Sequence, residues 1–159
     1  MASPRESSAS LPTASVLVSR THHLGVAVLN MESALRVYED VLGLRIFSGP
    51  FDDPLQRVRV AFIGSGRDGE PSIELIAPLG DDSPINHYLS RQLGAYHICY
   101  EVSDMEPTLV KMRANGCLLV SGPVPAVAFG GRRIAWVLLP SRHLVELLES
   151  PTVGSRGAQ

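Results

Sequence analysis

Four residues of types that bind metals lie inside otherwise apolar stretches of the sequence: they are His23, Glu74, His97 and Glu146. Each stretch has the length and the aliphatic content of a β-strand. A carboxylate buried among aliphatic side chains is very unfavourable unless something compensates its charge. A divalent cation shared with two imidazoles would do so, and Zn²⁺, Co²⁺, Ni²⁺, Mn²⁺ and Fe²⁺ all suit such a ligand set. The sequence therefore predicts one divalent metal ion per chain, without determining which.

An internal repeat relates the four residues. A shift of 74 positions places His23 on His97, and a shift of 72 places Glu74 on Glu146. Taken singly, each histidine could be a core residue bonded to the backbone, and each glutamate could face water from an edge strand. Because four unrelated side chains would share this register only by coincidence, the repeat favours a single metal site.

Two modules of the same design must position these residues. Apolar stretches, helix signals and Gly/Pro-rich turns alternate in the same order in each half. The predicted strands are 22–29, 44–47, 58–63 and 72–77 in the first half and 95–102, 118–120, 134–139 and 144–149 in the second. The predicted helices are 31–42 after the N-cap Asn30, 105–115 after Asp104, and a short segment 86–93 between the halves. Neither βαβββ module can bury its own sheet face, so we expect the two to pack together in an α+β fold.

Strand alternation indicates which other side chains accompany the four. His22 has the opposite parity to His23 and is expected to point away from the metal. Four residues are candidates for an apolar floor of the substrate site: they are Val60, Phe62, Ile134 and Trp136. Arg132 is a fifth candidate for substrate binding, since it would either meet an anionic substrate or solvate a loop.

Length and composition limit the remaining possibilities. The 159 residues fit one domain, which we predict at 21–150. It divides into the modules 21–80 and 95–150, joined by the linker 81–94. We expect a disordered arm at 1–20 and a flexible tail at 151–159. A formal net charge of −2 argues against nucleic acid and anionic membranes as partners. No apolar run approaches the ~20 residues that span a bilayer. Two cysteines give no disulfide framework, which favours a reducing, cytoplasmic location.

Several segments resemble a known family. The run His23-Leu24-Gly25-Val26-Ala27-Val28, the run 96–102 and the run 144–147 resemble strands of the vicinal oxygen chelate (glyoxalase-like) superfamily. Within it, Ser72–Gly80 followed by Asp82-Ser83-Pro84-Ile85 looks like the methylmalonyl-CoA epimerases, as does Gly130–Trp136. The resemblance implies paired βαβββ modules forming an open, cupped sheet around one metal.

The same resemblance implies an activity. It is that of a metal-dependent isomerase which removes the proton next to the carbonyl of a small acyl thioester, with Glu146 and Glu74 as catalytic carboxylates, in a homodimer. Two positions depart from the epimerase pattern: Leu139-Pro140-Ser141 replaces a His-Pro-Lys, and Val60 occupies the place of a glutamate found in some relatives. The alternatives are a glyoxalase-type lyase or isomerase on another small substrate, and a non-catalytic protein that binds a small molecule or confers resistance.

Overall fold

The computed structural model describes residues 17–92 and 94–151, and there it contains eight strands and three α-helices. The strands are β1 (Val18–Ala27), β2 (Arg45–Asp53), β3 (Val58–Gly64), β4 (Ser72–Pro78), β5 (Ala95–Val102), β6 (Leu118–Pro125), β7 (Arg133–Leu138) and β8 (Leu144–Glu149). The helices are α1 (Met31–Leu42), α2 (Ile85–Ser90) and α3 (Met105–Ala114), and a 3₁₀ turn covers Val127–Phe129.

All eight strands form one sheet in the order β2-β3-β4-β1-β5-β8-β7-β6. Strands β1 and β5 pair antiparallel at its centre and join the two modules. Each of them also pairs in parallel with the last strand of its own module, β1 with β4 and β5 with β8. The predicted α+β fold of paired βαβββ modules around a curled sheet is confirmed.

Alternate residues of the strands separate the helix-covered face from the opposite face. On the first, Ile63 and Leu75 pack against Met31 of α1, and Val145 and Leu147 pack against α3. Phe62, Glu74 and Glu146 alternate with these residues and so face the opposite way. Helices α1 and α3 therefore cover one face, whereas the short helix α2 packs at the opposite face, which carries the predicted site.

The two long helices begin differently. The Asn30 side chain caps α1 as predicted, accepting a hydrogen bond of 2.8 Å from the amide of Ser33. Asp104 occupies the N-cap position of α3 as predicted, but its side chain makes no capping hydrogen bond. There the carboxylate of Glu149, from β8, accepts a hydrogen bond of 3.4 Å from the amide of Met105.

Two strands run further than predicted. The segments 49–54 and 122–131 are rich in Gly and Pro and predict loops, yet β2 runs on to Asp53 and the first four residues of the second segment belong to β6, which ends at Pro125. Each contains a cis Gly-Pro bond, Gly49-Pro50 and Gly122-Pro123, at which the pairing register shifts. The strand bulges there and then resumes its pairing, which Gly and Pro in the sequence do not reveal.

The ends of the chain also differ from prediction. β1 begins at Val18, so the last residues of the predicted arm 1–20 belong to a strand. Residues 1–16 of that arm, and all of the predicted tail after Pro151, lie outside the described residues. The predicted helical segment 86–93 corresponds to α2 at Ile85–Ser90. In the part of the chain that the structure describes, no helix is long and apolar enough to cross a membrane.

Candidate metal centre and its cavity

The repeat appears in the structure as two matching rows of residues across the sheet. One row runs through β3, β4, β1 and β5 and consists of Phe62, Glu74, Gly25 and His97. The other runs through β7, β8, β5 and β1 and consists of Trp136, Glu146, Cys99 and His23. Each row reads aromatic residue, glutamate, small residue, histidine. Because the rows run in opposite directions at the centre of the sheet, they bring both histidines and both glutamates to one place.

The four polar side chains converge at that place. One potential ligand atom from each of the four lies within 4.8 Å of all the others. The Nε2 atoms of His23 and His97 are 2.9 Å apart. From His23 Nε2, the Oε2 atoms of Glu74 and Glu146 lie at 3.2 and 3.1 Å. From His97 Nε2 the corresponding distances are 3.5 and 3.4 Å.

The cluster is cut off from solvent, and this shifts its protonation equilibria. His23 is completely buried and Glu146 is 3% exposed. Burial opposes protonation of His23, but the neighbouring Glu74 and Glu146 carboxylates outweigh it and raise the pKa of His23 well above its usual value. Burial likewise opposes ionisation of Glu146, but the two imidazoles outweigh it and lower the pKa of this carboxyl group. The cluster therefore favours ionised carboxylates surrounding a positive charge.

The donor set fits a divalent cation. Buried Glu146 Oε2 faces both imidazoles yet has no hydrogen bond of acceptable geometry among the described residues. In the metal-free cluster the positive charge between the carboxylates is that of a protonated imidazole; a divalent cation would take its place and bind two carboxylate oxygens and two imidazole nitrogens. Two His and two carboxylates are ligands that Zn²⁺ and related transition metals accept.

The small residues of the two rows, Gly25 and Cys99, contact the histidines in different ways. A Cβ atom added to Gly25 would lie 2.1 Å from Cε1 of His97, so the His97 ring occupies the space that a side chain would need. At the matching position Cys99 is fully buried beside His23. Burial raises the pKa of the Cys99 thiol well above its usual value, which keeps it protonated and unreactive.

His22 does not point away from the site, contrary to the prediction. The pairing register between β1 and β5 shifts between Thr21 and His23, and this bulge cancels the parity argument. The Nδ1 atoms of His22 and His23 are 2.9 Å apart. Burial, reinforced by the proximity of His23 and Arg20, lowers the pKa of His22 to about 4, so its imidazole is neutral.

A cavity of about 320 Å³ opens onto the cluster. Both carboxylates, Glu74 and Glu146, line it. Most of the remaining lining is apolar and comes from both modules and from α2: it includes Val58, Val60, Ile76, Ile85, Tyr96, Val124, Phe129 and Trp136. A largely apolar cleft with a few converging polar groups is the usual form of a small-molecule site.

The candidate substrate-binding residues are placed unequally. Val60 and Trp136 line the cavity, whereas Phe62, Ile134 and Arg132 do not. The Phe62 ring packs 5.5 Å from the ring of His23, and Ile134 belongs to the core beneath the cavity. These three side chains therefore lie outside the cavity lining, contrary to the prediction.

The physical reason is clearest for Arg132. Its Nε donates a hydrogen bond of 2.7 Å to the carbonyl of Glu149, and its guanidinium lies 3.1 Å from the carboxylate of Glu101. Glu101 also pairs with Arg20. These ion pairs lower the pKa of the Glu101 carboxyl group despite its partial burial. Arg132 therefore helps to join β5, β7 and β8 and is not available to an anionic substrate.

Three residues that the sequence did not single out complete the site. Phe129 stacks on His23 with ring centroids 5.8 Å apart, and Tyr96 meets the His97 ring edge-on at 5.0 Å. The Gln56 side chain accepts a hydrogen bond of 3.0 Å from Trp136 Nε1 and so connects the two modules across the cavity. Tyr96 is adjacent to a predicted ligand, which is a weak signal, whereas Phe129 and Gln56 lie in loops and are brought in by the fold alone.

Known proteins share this architecture. The chain is 30% identical over 123 residues to the ethylmalonyl-CoA/methylmalonyl-CoA epimerase of Cereibacter sphaeroides, covering 76% of this chain and 89% of that protein. It matches the crystal structure of methylmalonyl-CoA epimerase from Mycobacterium tuberculosis with a TM-score of 0.74 and 28% identity, over 87% of this chain and 93% of that one. A methylmalonyl-CoA epimerase in complex with methylmalonyl-CoA and NH4+ has the same fold, with a TM-score of 0.71, 23% identity and coverage of 87% and 98%.

The family assignment rests on a match to a family model. The model described as Glyoxalase/Bleomycin resistance protein/Dioxygenase superfamily matches residues 22–136, from His22 to Trp136. That range includes most of β1, all of β5, three of the four clustered polar residues and most of the cavity lining. With its paired modules and its two matching rows, the chain belongs to the glyoxalase/bleomycin resistance protein/dioxygenase superfamily.

Proposed function

We propose that the protein is a metal-dependent epimerase or isomerase that removes the proton next to the carbonyl of a small acyl thioester. The observation that carries this proposal is the buried cluster of two histidines and two glutamates at the wall of a largely apolar cavity. The similarity to epimerases acting on ethylmalonyl-CoA and methylmalonyl-CoA supports the thioester class of substrate. Members of the superfamily usually bind a divalent metal, in agreement with the donor set.

The metal would be held by His23, Glu74, His97 and Glu146. When bound, a divalent cation supplies positive charge that stabilises the enolate oxygen left after proton removal. The rest of the chemistry falls to the chain. Glu146 accepts the C2 proton as a carboxylate, while the C–H electron pair moves into the enolate. The apolar walls formed by Val60, Ile76 and Trp136 exclude water, which strengthens each electrostatic interaction inside the cavity.

Inversion at C2 requires a proton to reach the opposite face of the enolate. Glu74 lines the cavity from the first module as Glu146 does from the second. It is therefore the candidate for the second carboxylate, because Val60 offers no acidic group. If Glu74 serves only as a ligand, the enzyme would exchange the C2 proton with solvent but return it to the same face.

Arg57 is suited to a negative charge carried by the thioester arm. Among the described lining residues it is the only arginine or lysine. Arg57 lies five residues before Phe62 along the chain, and Phe62 pairs with Glu74 of the metal cluster. At ~3.3 Å per residue of strand, the backbone of Arg57 is therefore ~16 Å from the level of the cluster. Its guanidinium bonds to Asp82 at 3.1 Å, but both side chains are largely exposed, so this pair is weak. With the reacting acyl group at the metal cluster, a phosphate of the CoA part of the thioester would reach Arg57 and replace Asp82 as its partner.

The decisive experiment is solvent exchange. The metal-loaded protein is incubated in D₂O with a panel of 2-substituted acyl-CoA thioesters, and deuterium at C2 and the configuration at C2 are measured separately. Deuterium uptake with inversion supports the epimerase, and uptake without inversion supports an isomerase with one working base. No uptake from any thioester, together with tight binding of another small molecule, would replace the proposal with a binding or resistance protein.

Two further parts of the proposal concern the state of the protein. We infer a homodimer, since both edge strands of the sheet carry exposed apolar side chains, Phe47 on β2 and Leu118 and Val120 on β6. A light-scattering mass of one chain at micromolar concentration would exclude it. A cytoplasmic location agrees with Cys99 and Cys117, both of which are free thiols.

A further inference from the structure

The two imidazoles of the metal cluster differ in the surroundings of the ring nitrogen, Nδ1, that faces away from the cluster. His23 Nε2 faces the carboxylates, and its other ring nitrogen, Nδ1, lies 2.9 Å from Nδ1 of His22. His97 also turns Nε2 toward the carboxylates, but its buried Nδ1 has no hydrogen-bond partner among the described residues. One of the two proposed ligands thus has a neighbouring side chain at its outer nitrogen, and the other does not.

His22 is itself held in position. The bulge between Thr21 and His23 turns its side chain toward the site instead of away from it. Its ring meets the ring of Phe129 edge-on at 5.4 Å, and Phe129 also stacks on His23. The three rings therefore pack as a unit, and the half-buried His22 ring cannot swing aside without losing both contacts.

The protons of this pair follow from its geometry. A neutral imidazole has one N–H donor and one acceptor nitrogen, so of two Nδ1 atoms at 2.9 Å one donates and the other accepts. If His23 is to offer the Nε2 lone pair to a cation, its proton must be on Nδ1, and His22 Nδ1 must be the acceptor. The hydrogen bond then fixes both the tautomer and the ring orientation of the ligand.

We propose that His22 is a positioning residue that holds His23 in the tautomer which presents Nε2 to the metal. The inference rests on the proposed metal site but concerns a contact that exists in the metal-free chain. Cys99 is the other polar group beside His23, but a protonated thiol is a weak acceptor and does not replace an imidazole nitrogen. No metal-binding role falls to His22 itself, since its Nδ1 is engaged by His23.

The test compares three variants for Zn²⁺ affinity, measured by competition with a chromogenic chelator. His22→Leu removes the acceptor, and we expect the affinity to fall ~10–100-fold, as for other groups that orient a metal-binding histidine. His22→Asn retains an acceptor oxygen and should recover most of the loss. His143→Leu is the matched control: it removes an exposed histidine outside the cluster and should leave the Zn²⁺ affinity close to that of wild type.

Two further measurements separate positioning from a loss of folding. The visible spectrum of the Co²⁺-loaded protein should change in His22→Leu and remain close to wild type in His22→Asn, at equal thermal stability of the metal-free proteins. Nitrogen-15 NMR of the metal-free wild type should find a proton on Nδ1 of His23 and none on Nδ1 of His22. Equal Zn²⁺ affinity in wild type and His22→Leu, or a proton on Nδ1 of His22 in the wild type, would overturn the inference. A wild type that binds no metal would overturn the proposed function, and the NMR result would still decide the role of His22.

Discussion

The two modules place the same residue types at the same positions, yet they surround them differently. In the first, His23 is fixed by His22 and covered by Phe129, an aromatic residue that belongs to the second module. In the second, His97 lies against Trp136 and over Gly25, and its outer nitrogen has no hydrogen bond within the part of the chain that the structure describes. The repeat determines where the clustered residues are, whereas the residues around them, which the repeat does not preserve, determine how firmly each is held.

The largest expected effect on the reaction comes from replacing the two carboxylates, Glu146 and Glu74, which changes the rates of proton exchange and of inversion at C2. Glu146→Gln should reduce exchange of the C2 proton ~10²–10⁴-fold, the usual contribution of a general base, because the amide cannot accept the proton. Glu74→Gln should retain exchange and lose inversion. Both rates are measured in D₂O at full metal occupancy, which separates loss of the base from loss of a ligand. Wild-type exchange in Glu146→Gln would show that Glu146 is a ligand only.

A smaller effect, on Zn²⁺ affinity, is expected when the small residue of the first row is replaced by that of the second. Gly25→Cys gives the first row the small residue of the second, and its side chain needs the space of the His97 ring. The ring must move, and we expect a loss of Zn²⁺ affinity of ~10–100-fold, comparable to other disturbances of ligand orientation. Cys99→Ala is the control in the other row and should leave the Zn²⁺ affinity close to that of wild type. Unchanged affinity in Gly25→Cys would mean that His97 adapts freely and that Gly25 is not required.

The smallest of these effects concerns the helices. Leu109 of α3 is 6% exposed and packs in the core, whereas Leu35, its repeat equivalent in α1, is only partly buried. Leu109→Ala should lower the free energy of unfolding by ~2–4 kcal/mol, within the usual range for a buried leucine. Leu35→Ala should cost about half as much, since less surface leaves water when α1 packs. Urea denaturation of both variants measures the difference, and equal losses would show that the two helices are packed alike.

The sequence predicted the features that depend on local pattern and on the repeat. The register of the repeat led to the four clustered residues, and the N-cap Asn30 led to the start of α1. It did not predict the orientation of His22, because a bulge changes which face a residue occupies without leaving a mark in the pattern. Nor did it find the partners of Arg132, because Glu101 and the carbonyl of Glu149 meet it only in the folded sheet.

The order of strands in the sheet has a consequence for the kinetics of folding. The clustered residues come only from the inner strands β4, β1, β5 and β8, and His23 and Glu146 are 123 positions apart along the chain (146 − 23). Neither module alone can offer four ligands, so a cation gains its full set only after β8 has paired with β5. Contacts of such long range form late in folding, and an interaction absent from the transition state changes the unfolding rate rather than the folding rate. A bound metal should therefore slow unfolding and leave the speed of folding almost unchanged.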